Sequence, residues 1–202
     1  GFESTGTRHP TFVLRPDSRV LAAVLQPAIL AAVHQVIRRA FRLSAVAGRD
    51  PLTGFGRQAL HLDWRTHDPR GPYHTATAIV LLDDFTLDNG ATRLVAGSHR
   101  RNSNLPKDFG LDPSRHLPGE RVVEASAGSA LVFNGHLLHG GTENRSGQSR
   151  RALQCTFVAA DQSLMGSAAD AVDAVAENSL DRFRSDPSRF EPAVRFLLRG
   201  EA

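Results

Sequence analysis

Apolar residues recur along this chain in two rhythms, and the change of rhythm divides it. From Arg19 to Ala40 they fall three and four apart: Val20, Leu21, Val24 and Leu25, then Ile29, Leu30, Val33, Val36 and Ile37. That spacing marks one face of a helix, with Asp17 or Ser18 as its start signal. Pro27 predicts two short helices rather than one, because proline lacks the N–H that a helix interior needs. Beyond Ala40 the period shortens to short β-type runs at 41–47, 58–64, 75–82, 92–95, 121–124, 130–138 and 152–159. Asp88-Asn89-Gly90 and Gly97-Ser98-His99 are turn signals between them. Residues 48–56 are expected to form a loop and residues 67–72 a polar turn.

Three stretches are less regular. Residues 1–17 are polar and punctuated by Pro10 and Pro16, with one short extended piece at 11–14. Residues 100–119 carry Pro106, Gly110, Pro113 and Pro118; a connection of that length is usually a functional lid or disordered. The tail at 167–199 is expected to be helical, with a break near Asp186-Pro187. Many short strands separated by turns predict a mainly β fold with flanking helices. Residues 1–202 are taken as a single domain. The chain opens on Gly rather than Met, so its extreme N-terminal segment is expected to be missing.

Composition narrows the function. A hydrophobic fraction of 41% and a charged fraction of 22% are those of an ordinary globular protein. No apolar run approaches the roughly 20 residues that span a bilayer, and no signal peptide is visible, so no membrane partner is expected. Cys155 is the only cysteine. It excludes an internal disulfide and a multi-cysteine zinc site, and it fits a reducing, cytoplasmic compartment. The formal charge is +3, from 24 basic and 21 acidic residues. Arginines are scattered or paired (Arg38-Arg39, Arg100-Arg101, Arg150-Arg151) without aromatic interleaving, which argues against a nucleic-acid partner.

The candidate chemistry starts at His61-Leu62-Asp63. On a strand, residues two apart point to the same face, so one imidazole and one carboxylate can reach one ion. A third ligand must come from another strand, and His139 lies far enough downstream to supply it. Two histidines and one carboxylate suit Fe(II) and leave positions open for chemistry. With nine histidines in the chain, the spacing alone leaves open a packed strand histidine beside a surface aspartate. His136, three residues before His139, would point the other way on an extended strand and is expected to pack. The adjacent Asp83 and Asp84 are expected to be solvated.

Three ordered stretches carry a resemblance. They are Gly56-Arg-Gln58-Ala-Leu-His61-Leu-Asp63-Trp64, the run from Leu82 through Asn89-Gly90-Ala-Thr-Arg93 to Gly97-Ser98-His99, and His139-Gly-Gly-Thr-Glu-Asn144-Arg-Ser-Gly-Gln-Ser-Arg150. In order and spacing they resemble the phytanoyl-CoA dioxygenase family of Fe(II)/2-oxoglutarate-dependent oxygenases. The resemblance covers about residues 41–160. Ala96 departs from it, standing where the family usually has proline.

The resemblance implies a double-stranded β-helix, the cupin-like jelly roll, with His61, Asp63 and His139 as metal ligands and catalytic centre. It implies 2-oxoglutarate as co-substrate, O2 as oxidant and a small-molecule substrate that the sequence does not specify. Arg150, eleven residues beyond His139, would pair the distal carboxylate of 2-oxoglutarate. A planar guanidinium grips a carboxylate bidentately, as lysine cannot. Arg151 would face the other side of the same strand. Thr77 would bond a co-substrate carboxylate, and Gln58 would face the same site or sit at a strand edge. Trp64 and Tyr73 border the loop after the first motif and are expected to pack at the rim. Aspartate at position 63 favours hydroxylation over halogenation, which would need a small residue there. A non-catalytic jelly-roll binding protein would lack a ligand or the arginine. A zinc-dependent cupin-type enzyme would not need Arg150 at this offset. The sequence leaves the oligomeric state open.

Overall fold

The computed structural model describes residues 6–10, 19–64, 72–100 and 112–162. The extended piece at 11–14, most of the turn at 67–72, the centre of the 100–119 loop and the tail at 167–199 lie outside the described residues.

Two helices precede the sheets, α1 (Arg19–Val24) and α2 (Pro27–Ile37). Pro27 occupies the first turn of α2, where its missing N–H costs nothing and its fixed φ favours the helix. Arg38 closes α2 in a left-handed conformation, its N–H donating to the His34 carbonyl at 2.7 Å. No helix among the described residues is long and apolar enough to cross a membrane.

The strands are β1 (Thr7–Arg8), β2 (Phe41–Pro51), β3 (Thr75–Leu81), β4 (Thr92–Val95), β5 (Glu120–Val122), β6 (Ala130–Asn134), β7 (His139–Gly141) and β8 (Ala152–Ala159). They form a five-stranded sheet in the order β1-β2-β8-β3-β6 and a three-stranded sheet in the order β5-β4-β7. Every pairing is antiparallel.

Register sorts the large sheet into two faces. Ala78 lies opposite Cys155 on β8 and Val132 on β6, and Val46 lies opposite the same Cys155. With Ala76, Val80, Leu153 and Phe157 these residues pack against Leu21, Val24, Ile29, Leu30, Val33 and Ile37 of the helices. The helical stripe therefore covers one face of the sheet, and each fully buried large side chain there contributes about 1.5–3 kcal/mol. The alternate rows carry Ala47 and Arg49, Gln154 and Thr156, Thr77 and Ile79, and Leu131 and Phe133. These rows face the candidate site.

Cys155 has no solvent exposure, and burial pushes its thiol up to about 12. It is expected to resist a thiol-specific disulfide reagent at pH 8 in the folded protein and to react only at the rate of unfolding. Rapid labelling under native conditions would contradict its place between helices and sheet.

Three elements differ from the sequence expectation. The first strand continues four residues past Ala47, to Pro51, where a loop is expected. Gly48 pairs with Leu153 in the strand and donates its N–H to Pro10 O at 2.9 Å; a Cβ there would lie 2.4 Å from the Pro10 ring, a close backbone approach of the kind that glycine in a strand often marks. The run at 58–64 is extended but is not a regular strand: it meets β7 through the isolated bridge between His61 and His139. The run at 130–138 divides, since β6 ends at Asn134 and a turn carries the chain across to β7 in the other sheet.

Candidate metal centre

The stretch 56–64 lies along the chain from 135 to 141. Gln58 N donates to Gly141 O at 3.0 Å, His61 and His139 exchange backbone bonds at 2.9 and 3.1 Å, and Trp64 N donates to Gly135 O at 3.0 Å. The two glycines after His139 allow this approach. A Cβ on Gly141 would lie 2.5 Å from Gly56 O, and one on Gly140 would lie 3.1 Å from Ala59 O. Any side chain there would push away the segment that carries His61 and Asp63.

His61, Asp63 and His139 come together as the sequence spacing requires, with one ligand atom from each all within 4.8 Å of one another. His61 Nδ1 lies 2.9 Å from Ala59 O, and His139 Nδ1 lies 2.9 Å from Leu137 O. A carbonyl only accepts, so each ring keeps a proton on Nδ1 and turns its Nε2 toward the centre. His139 Nε2 lies 3.5 Å from Asp63 Oδ1, and His61 Nε2 lies 4.0 Å from it. Thr77 donates to the other carboxylate oxygen, Oδ2, at 2.5 Å. Three donor atoms thus face one point, and each side chain is held from behind. Two imidazoles and a carboxylate are the donor set of a facial site for a divalent first-row metal.

The electrostatics agree. Burial lowers the pKa of His61, and the neighbouring His139 lowers it further. A neutral imidazole is the form that binds metal. Burial alone would raise Asp63, but the contact with His139 and the Thr77 hydroxyl bring it below its ordinary value, so it is held as a carboxylate.

These residues line an open cleft with Thr7, His9, Arg49, Gln58, Ile79, Thr92, Arg150 and Gln154. Arg150 points into it. It is 7% exposed, its guanidinium stacks 4.6 Å over the Phe85 ring, and burial pulls its pKa down to about 10. Arg151 turns outward and pairs with Asp83 at 2.8 Å. The neighbouring Asp84 accepts from Ala127 N at 2.7 Å.

Two of the residues named for the co-substrate have partners within the protein. Thr77 donates to Asp63. Gln58 Oε1 accepts from Gly141 N at 2.9 Å and so fastens the first motif to β7. His136 is fully buried in the turn before β7, its ring 5.9 Å from Tyr73; it lies outside the triad because of that turn, not because of strand alternation. The Trp64 ring lies 6.2 Å from that of His74. Asn144, also fully buried, donates to Pro51 O and Gln148 O and accepts from Ser146, holding the turn before Arg150.

Three further residues shape the site. Arg93 is 1% exposed, bonds Gln58 O at 2.8 Å, Pro113 O at 2.9 Å and Arg115 O at 3.2 Å, and pairs with Glu120 at 3.1 Å. It ties the chain at 112–120 to the first metal motif. The signal was available in the sequence as a charge inside a short β run. Arg49 and His9 also line the cleft, from stretches whose sequence reads as loop.

Two antiparallel sheets with this cluster between them define a double-stranded β-helix protein equipped to bind a metal. The chain belongs to the phytanoyl-CoA dioxygenase (PhyH) family, whose model matches residues 5–152. Dioxygenase trt7 of Aspergillus terreus is 34% identical over 122 residues, which is 57% of this chain and 40% of that protein. Dioxygenase olcK of Penicillium canescens is 30% identical over 161 residues, 72% of this chain and 50% of that protein. The chain thus spans half or less of the length of these relatives. Among solved structures, HygX from Streptomyces hygroscopicus with nickel and 2-oxoglutarate bound superposes with a TM-score of 0.61 at 20% identity, covering 79% of this chain and 72% of HygX. That likeness carries the fold.

Proposed function

We propose that this chain is the catalytic core of an Fe(II)- and 2-oxoglutarate-dependent dioxygenase that hydroxylates, or otherwise oxidises, an unactivated C–H bond of a small molecule in secondary metabolism. The observation that carries the reading is the convergence of two Nε2 atoms and one carboxylate oxygen beside a buried arginine. Among the described residues that arginine has no carboxylate within 4.0 Å. The names of relatives support the choice of metal and co-substrate: nvfF of Aspergillus novofumigatus, 37% identical over 84 residues, is an Fe(II)/2-oxoglutarate-dependent dioxygenase.

In this reading His61, Asp63 and His139 hold the iron. Iron and 2-oxoglutarate held there would supply an oxidant made from O2, with succinate and CO2 as by-products. The protein's own contribution is positioning and charge. Thr77 keeps Asp63 Oδ2 occupied and so turns Oδ1 toward the metal. The backbone carbonyls of Ala59 and Leu137 fix the imidazole tautomers. Arg150 grips the distal carboxylate of 2-oxoglutarate, and Phe85 shields that contact from water and strengthens it. Gln58 and Arg93 hold the two metal-bearing segments in register.

With Fe(II), ascorbate, O2 and 2-oxoglutarate, the protein is expected to release succinate slowly on its own and faster with an accepted compound from a panel of small molecules. EDTA should stop both. Succinate release at an unchanged rate in EDTA would overturn the reading.

A further inference from the structure

The cleft holds a second arginine that the proposed chemistry does not use. Arg49 projects from β2 on the site-facing row, beside Gln154 of β8. Its Nε donates to Gln154 Oε1 at 2.6 Å, which fixes the plane of the guanidinium. Its Nη1 meets His9 Nδ1, and its Nη2 bonds no described residue. No carboxylate lies within 4.0 Å of it among the described residues, whereas Arg8, Arg39, Arg57, Arg93, Arg145 and Arg151 each have one. His9 adds no negative charge, and burial and the neighbouring Arg49 hold its ring below its ordinary pKa.

We propose that Arg49 recognises a carboxylate on the primary substrate. The inference rests on the dioxygenase reading. In that reading a ferrous ion carries two positive charges, and Asp63 with the 2-oxoglutarate dianion carries three negative ones. Arg150 brings the sum to neutral. Arg49 then leaves one positive charge in a partly buried cleft, and a single carboxylate cancels it where a phosphate dianion would overshoot. A planar fork clamped along one edge presents its remaining N–H groups in the geometry a carboxylate accepts. Arg49 and Arg150 thereby divide the work, one holding the co-substrate and the other orienting the molecule to be oxidised.

The test uses the protein loaded anaerobically with Fe(II) and 2-oxoglutarate, followed by its visible charge-transfer band. The probes are matched pairs of a carboxylic acid and its primary amide: octanoate and octanamide, 4-phenylbutyrate and its amide, and cyclohexanecarboxylate and its amide. At least one acid is expected to perturb the band with an affinity tenfold or more above that of its amide. Arg49→Gln should erase that preference and leave the affinity for 2-oxoglutarate within about threefold, while Arg49→Lys retains part of the preference. The proposal is overturned if no acid binds, if Arg49→Gln keeps the preference, or if Arg49→Gln weakens 2-oxoglutarate as much as Arg150→Gln does. Absence of the band in the unaltered protein removes the dioxygenase reading and this inference with it. A band that forms normally, with no effect of Arg49, removes this inference alone.

Discussion

Replacement of His139 by alanine is expected to abolish stoichiometric Fe(II) binding, with affinity falling more than a hundredfold. The loss of an outer partner of a metal ligand costs about 10- to 100-fold, and here a ligand itself is removed. The remaining pair, His61 and Asp63, would hold a metal only through one imidazole and one carboxylate. Thr77→Val is the informative companion. It keeps the volume and β-branching of the side chain but takes away the hydrogen bond to Asp63 Oδ2. The carboxylate is then free to rotate, and Fe(II) affinity should drop about 10- to 100-fold while the fold persists. Equilibrium dialysis under argon measures both, and circular dichroism checks folding. Near-native iron binding by the His139→Ala protein would remove His139 from the site.

The second large effect is expected at Arg150. Arg150→Met should weaken 2-oxoglutarate binding by about 2–5 kcal/mol, the usual cost of truncating one partner of a desolvated charge pair. The same change should raise the melting temperature of the protein without ligands. Arg150 is 7% exposed and has no carboxylate partner within 4.0 Å among the described residues, so the apoprotein bears its desolvation cost. The stack on Phe85 offsets part of that cost, by about 0.5–2 kcal/mol. Stability and function therefore move in opposite directions at this residue. Titrated by pH, the affinity of the unaltered protein for 2-oxoglutarate should be flat through pH 9. It should fall above about pH 10, because the guanidinium loses its proton there and the carboxylate loses its partner. Arg151→Met should leave that affinity unchanged, since Arg151 faces outward onto Asp83. Calorimetric titration and thermal melts of the two variants separate the cases.

The fold was legible where a single rhythm governs an element. Both helices follow their stripe, and Pro27 divides them because no tertiary contact can replace a missing N–H. The strands at 75–81 and 152–159 are rich in β-branched or apolar residues and lie in the middle of the large sheet. The sequence was less informative where the partner segment decides. Gly48 and Pro51 resemble loop residues until Pro10 and β1 are placed against them. Residues 130–138 resemble one long strand, yet Gly135 marks where the chain leaves the large sheet, with a Cβ there only 3.0 Å from Thr75.

The convergence of His61, Asp63 and His139 was legible because a spacing of two brings His61 and Asp63 to one side of the chain, where a third residue can meet them. That Arg150 rather than Arg151 faces the cleft was legible from the resemblance and from strand alternation. The partners of Thr77 and Gln58 were not, because each is set by a neighbour more than ten residues away: Asp63 for Thr77, and Gly141 for Gln58. Arg49 escaped for the same reason as the strand that bears it.

The central claim is that the three ligands and Arg150 form one iron and 2-oxoglutarate site, and anaerobic absorption titration tests it most directly. Adding 2-oxoglutarate to the Fe(II)-loaded protein should produce a weak visible charge-transfer band that saturates at one equivalent per chain. The band should be absent when either component is omitted and absent in the His139→Ala protein. A protein that binds iron tightly but gives no band and no binding of 2-oxoglutarate would contradict the account.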